Sequence, residues 1–72
     1  MERLDCLRLF FVADGKVVEI QERELYNVSE VIDRGTKTLY VILECGSVRH
    51  IRKDYSTFTY TGFVLKKGYK KA

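Results

Sequence analysis

At 72 residues, 46% apolar and 32% charged, with a net charge of +3, the chain is one small domain that must recruit nearly every apolar side chain to its core. The charged content excludes the low-hydrophobicity signature of disorder only because the apolar content is high as well. A core this small leaves little room for a catalytic cleft, so a non-enzymatic protein is expected.

The charge is divided unevenly along the chain. Residues 1–36 hold five basic and eight acidic groups, whereas residues 37–72 hold eight basic and two acidic ones. An acidic front half and a basic back half point to an anionic partner.

The opening, MERLDCLRLFF, has acidic residues where a signal peptide carries a basic segment. Its apolar run, Leu7–Ala13, contains Arg8 and is too short to span a bilayer. A cytoplasmic protein with no membrane contact is expected. Cys6 and Cys45 lie outside any C-x-x-C pair, and His50 is the only histidine. That is not a metal-ligand pattern, so each cysteine is expected to pack as a small hydrophobe, and no metal or cofactor is predicted.

LRLFFVADGKVVEIQ reads as a hairpin. Asp14-Gly15 can adopt the two positive φ angles of a type I′ turn. Such a turn sets Phe11 against Val18, Phe10 against Glu19 and Leu9 against Ile20. Leu7, Leu9, Phe11, Val18 and Ile20 then share the core face. Phe10, Val12 and Val17 fall on the opposite face, surplus to one small core, and are expected to contact a protein partner or a second copy of the chain.

Residues 21–34 suit either a helix ending at Gly35 or a strand. The β-branched Val28, Val31 and Ile32 favour a strand from about Tyr26 to Ile32, with room for a short helical turn around Glu22–Leu25. Thr38–Cys45 is apolar on both faces and reads as a central strand. A Gly46-Ser47 turn of type II′ would then set Glu44 against Arg49 and Ile42 against Ile51. The returning segment, VRHIRK, has the charge of an edge strand guarded against stray pairing. In the last strand, Phe58 and Tyr60 are out of phase with Phe63 and Leu65. A β-bulge at Gly62 would return all four to one face.

The fold predicted for residues 1–72 is therefore all-β: five or six short antiparallel strands in a curled sheet or barrel, SH3-like or OB-like in shape, with residues 66–72 a basic C-terminal tail. There is no phosphate loop, dinucleotide fingerprint, H-E-x-x-H or G-x-S-x-G. His50 lies among Arg49, Arg52 and Lys53 with nothing beside it in sequence to orient it as a base. No small-molecule substrate is expected.

Binding offers two readings. In the first, Arg49, Arg52, Lys53, Lys66, Lys67, Lys70 and Lys71 contact the phosphates of a nucleic acid, or an acidic protein surface, while Tyr55 and Tyr69 stack on bases. In the second, Phe10, Val12 and Val17 make the chain a protein-interaction module, such as an adaptor or an inhibitor of a larger enzyme.

Overall fold

The computed structural model describes residues 2–55, 57–68 and 70–71. The strands are β1 (Glu2–Ala13), β2 (Lys16–Tyr26), β3 (Val28–Asp33), β4 (Thr38–Leu43), β5 (Val48–Arg52), β6 (Thr59–Lys66) and the short β7 (Lys70–Lys71). Every pairing among them is antiparallel. Among the described residues there is no helix, and hence none long and apolar enough to cross a membrane.

The β1–β2 hairpin turns at Asp14 and Gly15, with φ of 53° and 74°, the conformation that a type I′ turn requires. Phe11 faces Val18 and Phe10 faces Glu19, but Leu9 faces Gln21 instead of Ile20. A bulge at Ile20 accounts for the difference, one extra residue on β2 being absorbed there. Beyond it the ladder continues to Leu4 and Tyr26. The helical turn expected around Glu22–Leu25 is thus absent, because β1 is long enough to keep those residues paired.

β2 and β3 are separate strands. Asn27, at φ 57°, stands between them in the left-handed region that asparagine tolerates better than most residues. Its amide donates to the Arg3 carbonyl (2.8 Å) and its Oδ1 accepts from the Arg3 amide (2.8 Å). Its own carbonyl accepts from the Glu44 amide (2.8 Å). This corner turns the chain out of the first sheet and into a second layer.

The expected barrel, SH3-like or OB-like, therefore does not close. The strands form a long sheet, β2-β1-β6 with β7 also on β1, and a short sheet, β3-β4-β5. The core lies between them: Leu7, Leu9 and Phe11 from β1 meet Val28, Leu39, Val41, Leu43 and Ile51 from the short sheet. Each such side chain contributes about 1.5–3 kcal/mol when removed from water.

β4 is the central strand of the short sheet, alternating half-buried and buried residues along its length. It turns into β5 differently from expectation. The Gly46 amide donates to the Leu43 carbonyl (2.9 Å) and Gly46 has φ 93°, so the loop is a three-residue connection with glycine in the left-handed position. The resulting register sets Val41 against Arg49 and Leu39 against Ile51. Glu44 pairs with Arg3 (3.1 Å) in place of Arg49.

β6 carries the bulge predicted near Gly62. Phe10 faces Gly62 and Phe11 faces Tyr60, which leaves Thr61 as the extra residue. Phe58, Tyr60, Phe63 and Leu65 all pack on the core, while Thr57, Thr59 and Thr61 are exposed. Residues 66–71 include the end of β6 and all of β7, whose Lys70 and Lys71 pair with Arg3 and Glu2.

Candidate functional site

The strand alternation that buries Leu39, Val41 and Leu43 turns Thr38, Tyr40 and Ile42 to the outside of the short sheet. Register then builds rows across that outer face. Tyr40 lies between Ile32 on β3 and His50 on β5, Ile42 between Glu30 and Val48, and Thr38 beside Arg52. Tyr40 and His50 meet edge to face, with ring centroids 5.2 Å apart. The Arg34 guanidinium sits 5.8 Å from the Tyr40 ring centre, within cation–π range. Val48 is 49% exposed. Among the described residues, Arg34, Arg49 and Arg52 take part in no ion pair.

Arg52 reaches from this face to two fixed points. Its Nε donates to the Asp54 carbonyl (2.6 Å), and its guanidinium lies 4.9 Å from the centre of the Tyr55 ring. Tyr55 itself packs edge-on against Phe11, at 5.2 Å, and accepts a hydrogen bond from the Gln21 amide. It is thus a half-buried support for Arg52, with one edge in the core. Arg49 is exposed on the other side of β5, opposite Val41.

Lys53 lies inside the fold. Its side chain is 6% exposed and paired with Asp33, and its ammonium stands 4.7 Å from the Tyr60 ring centre. The Lys53 hydrogen bond, assisted by the Gly35 amide, holds the Asp33 carboxyl below its ordinary range. Burial, and then the Asp33 charge, push the Tyr60 phenol up to about 12. This cation is engaged with its own protein, and the groups around it are fixed in their charge states near neutrality.

The sequence-predicted cations fall in two places. Lys67 donates to the carbonyl of Val28, whose strand partner Leu43 ends β4, whereas Arg52 pairs with Thr38, which begins it. Lys66 is exposed at the far end of the long sheet, opposite Cys6. Lys70 and Lys71 continue along β1, and Tyr69 is outside the described residues. The structure sets Arg52 on one face with His50, places Arg49 on the other side of the same strand, and leaves the 66–71 lysines apart from them.

Arg34 and Tyr40 were missed in the sequence. The alternation of Thr38–Leu43 would have turned Tyr40 outward, but only the true β4–β5 register sets it beside His50.

A second exposed feature lies on the outside of the long sheet. Val12 faces Val17, Phe10 neighbours them on the same side, and Val64 faces Arg8 one step along. Val17 is 69% and Val64 50% exposed. Farther along this face is a shallow cleft of about 380 Å³ containing Cys6, Glu22, Glu24 and Lys66. Cys6 Sγ lies 3.7 Å from a Glu22 oxygen. Burial, then the Glu22 charge, raise the thiol's pKa, the reverse of what activates a nucleophilic cysteine. Cys45 is exposed in the β4–β5 turn, and its pKa is lowered chiefly by the Ser47 hydroxyl. Neither cysteine occupies the core position expected of it.

Comparison with protein families, with characterised proteins and with solved structures finds no match to this chain.

Proposed function

We propose that the protein is a non-enzymatic module that binds nucleic acid through the outer face of the short sheet. The observation carrying this reading is the cluster of Arg34, Tyr40, His50 and Arg52, in which Arg34 sits at the half-buried Tyr40 ring and Arg52 lies one row away beside Thr38, neither guanidinium in an ion pair among the described residues. Guanidiniums release counterions from phosphates, and an aromatic face stacks on bases. Arg49, on the other side of β5, stands outside this face. Lys66 and Lys67 lie too far along the fold to share one short contact with Arg52, and they form a separate cationic region. A cytoplasmic location belongs to this proposal.

The test is a titration against DNA and RNA oligonucleotides at two salt concentrations, with an Arg34→Ala/Arg52→Ala variant in parallel. Affinity should fall as salt rises, and the variant should bind more weakly with a shallower salt dependence. Binding weaker than about millimolar at low salt, or indifferent to salt, overturns the proposal.

A second reading rests on the Phe10, Val12, Val17 and Val64 patch, where two valines expose half or more of their surface. In it the long sheet docks a protein surface or a second copy of the chain. Light scattering after size exclusion, with Val17→Lys/Val64→Lys as control, tests this reading. A wild-type chain that is monomeric and binds no apolar dye counts against it.

A further inference from the structure

The rows on the short sheet differ in chemistry, and their order selects among nucleic acids. Resting on the nucleic-acid reading above, we propose that the ligand is a single strand, with its sugar–phosphate backbone over the Arg34–Thr38–Arg52 row and its bases over Tyr40 and His50. Thr38 and Arg52 are direct cross-strand neighbours, and Arg34 reaches the same end of the face, beside Tyr40. The next row, two residues along each strand, holds Ile32, Tyr40 and His50. Rows on one face of a sheet are roughly 6.5–7 Å apart, enough to set a base beside the phosphate to which it is attached.

The third row holds Glu30, Ile42 and Val48. Its carboxylate repels phosphate and its aliphatic side chains offer nothing to a charged backbone. This fixes the orientation, with phosphates toward Arg34 and Arg52 and bases toward the apolar rows. A duplex satisfies this face poorly. Its bases are already stacked and its surface is phosphate and sugar, so the apolar rows would lie uncovered against charge. Reading base edges in a duplex takes a helix or a two-stranded ribbon that enters a groove about 12 Å wide, and this face is a sheet of three strands.

The experiment is fluorescence anisotropy with labelled dT and U oligomers and a duplex of mixed sequence, each at several salt concentrations. The dT and U arms separate DNA from RNA as the preferred single strand. Two arginine contacts (Arg34 and Arg52) predict a slope of log affinity against log salt of about −1.4 for the single strands, reduced by about 0.7 in Arg52→Ala. Tyr40→Leu should weaken single-strand binding roughly 5- to 150-fold with its salt slope unchanged, the loss expected when one stacked base is released. Tyr40→Phe keeps the ring and should bind as wild type. Circular dichroism verifies that each variant is folded, and Tyr40→Phe and Arg52→Ala remain informative if Tyr40→Leu is not.

Single strands bound more tightly than duplex, with the Tyr40→Leu loss, support the proposal. Equal or tighter duplex binding with normal salt dependence, or a Tyr40→Leu variant as tight as wild type, overturns it and leaves nucleic-acid binding standing. No salt-dependent binding to either form overturns both.

Discussion

Replacing Asp5 by Asn should cost more stability than any other isosteric change in this chain. Asp5 is fully buried, and each of its oxygens already accepts from the protein. Oδ1 receives the Gly68 amide (2.8 Å) and Arg3 Nε (2.9 Å), while Oδ2 receives the Val28 amide (2.9 Å) and Arg3 Nη2 (3.0 Å). Three separate segments meet on this carboxylate: β1, the start of β3 and the β6–β7 junction. Asparagine has one acceptor oxygen, so its NH₂ must confront either the Gly68 or the Val28 amide as well as the guanidinium. Removing one partner of a buried ion pair costs about 3–5 kcal/mol. A 72-residue domain has about 4–11 kcal/mol in all at the usual per-residue stability.

Urea unfolding followed by circular dichroism measures the loss. With an m-value of about 1 kcal/mol/M, the midpoint should fall by about 3 M or more. Acid titration supplies an independent check. Burial alone would raise the Asp5 pKa, but hydrogen bonds from Arg3 and from the Gly68 and Val28 amides outweigh it, lowering it from 3.8 to about 2. The folded value lies below the unfolded one. Its contribution is therefore complete above pH 3.8 and is lost as pH falls through about 2. The Asn variant should lack this component of acid sensitivity. A midpoint within about 0.5 M of wild type, at an unchanged m-value, would refute the assignment of Asp5 as the hub.

Three further outcomes are expected. A Cβ built on Gly68 would stand 1.3 Å from the Leu4 carbonyl oxygen, so Gly68→Ala must push the β6–β7 junction off β1. Hydrogen exchange should show lost protection at residues 70–71, with destabilisation of about 2 kcal/mol or more. Lys53→Met leaves the partly exposed Asp33 without its cation and should cost about 1–3 kcal/mol in thermal or urea unfolding; an unchanged midpoint would show that the pair contributes nothing. Cys45 should react with a thiol reagent many times faster than Cys6 under native conditions, since one is exposed with a lowered pKa and the other shielded with a raised one. Equal rates would contradict the placement of Cys6.

Much of the strand order was legible because local chemistry marks it. Asp14-Gly15 can form its turn from residues adjacent in sequence, and Gly62 announced a change of phase that the neighbouring aromatics required. The charge of VRHIRK identified an edge. Other features lacked a local mark. No glycine flags the bulge at Ile20, which arises where a long ladder twists. The β4–β5 register depends on whether Gly46 is the first residue of a two-residue turn or the last of a three-residue one, and both are glycine positions. Asn27 resembles any polar residue until Arg3 and Glu44 are brought against it. Asp5 looked like one of several front-half acids because two of its three partners, Val28 and Gly68, are distant in sequence. The site suffered similarly: the basic residues were countable, but their division between two ends of the fold, and the company of Tyr40, are properties of register.

The position of β1 also has a consequence for synthesis. It is flanked by β2 on one side and by β6 and β7 on the other, so its second edge has no partner until residues 59–71 have left the ribosome. Until then the longest strand of the fold presents a bare hydrogen-bonding edge, held only by its hairpin mate. Residues of β6 and β7 cover it, which makes chains truncated or stalled before them the species most prone to aggregate.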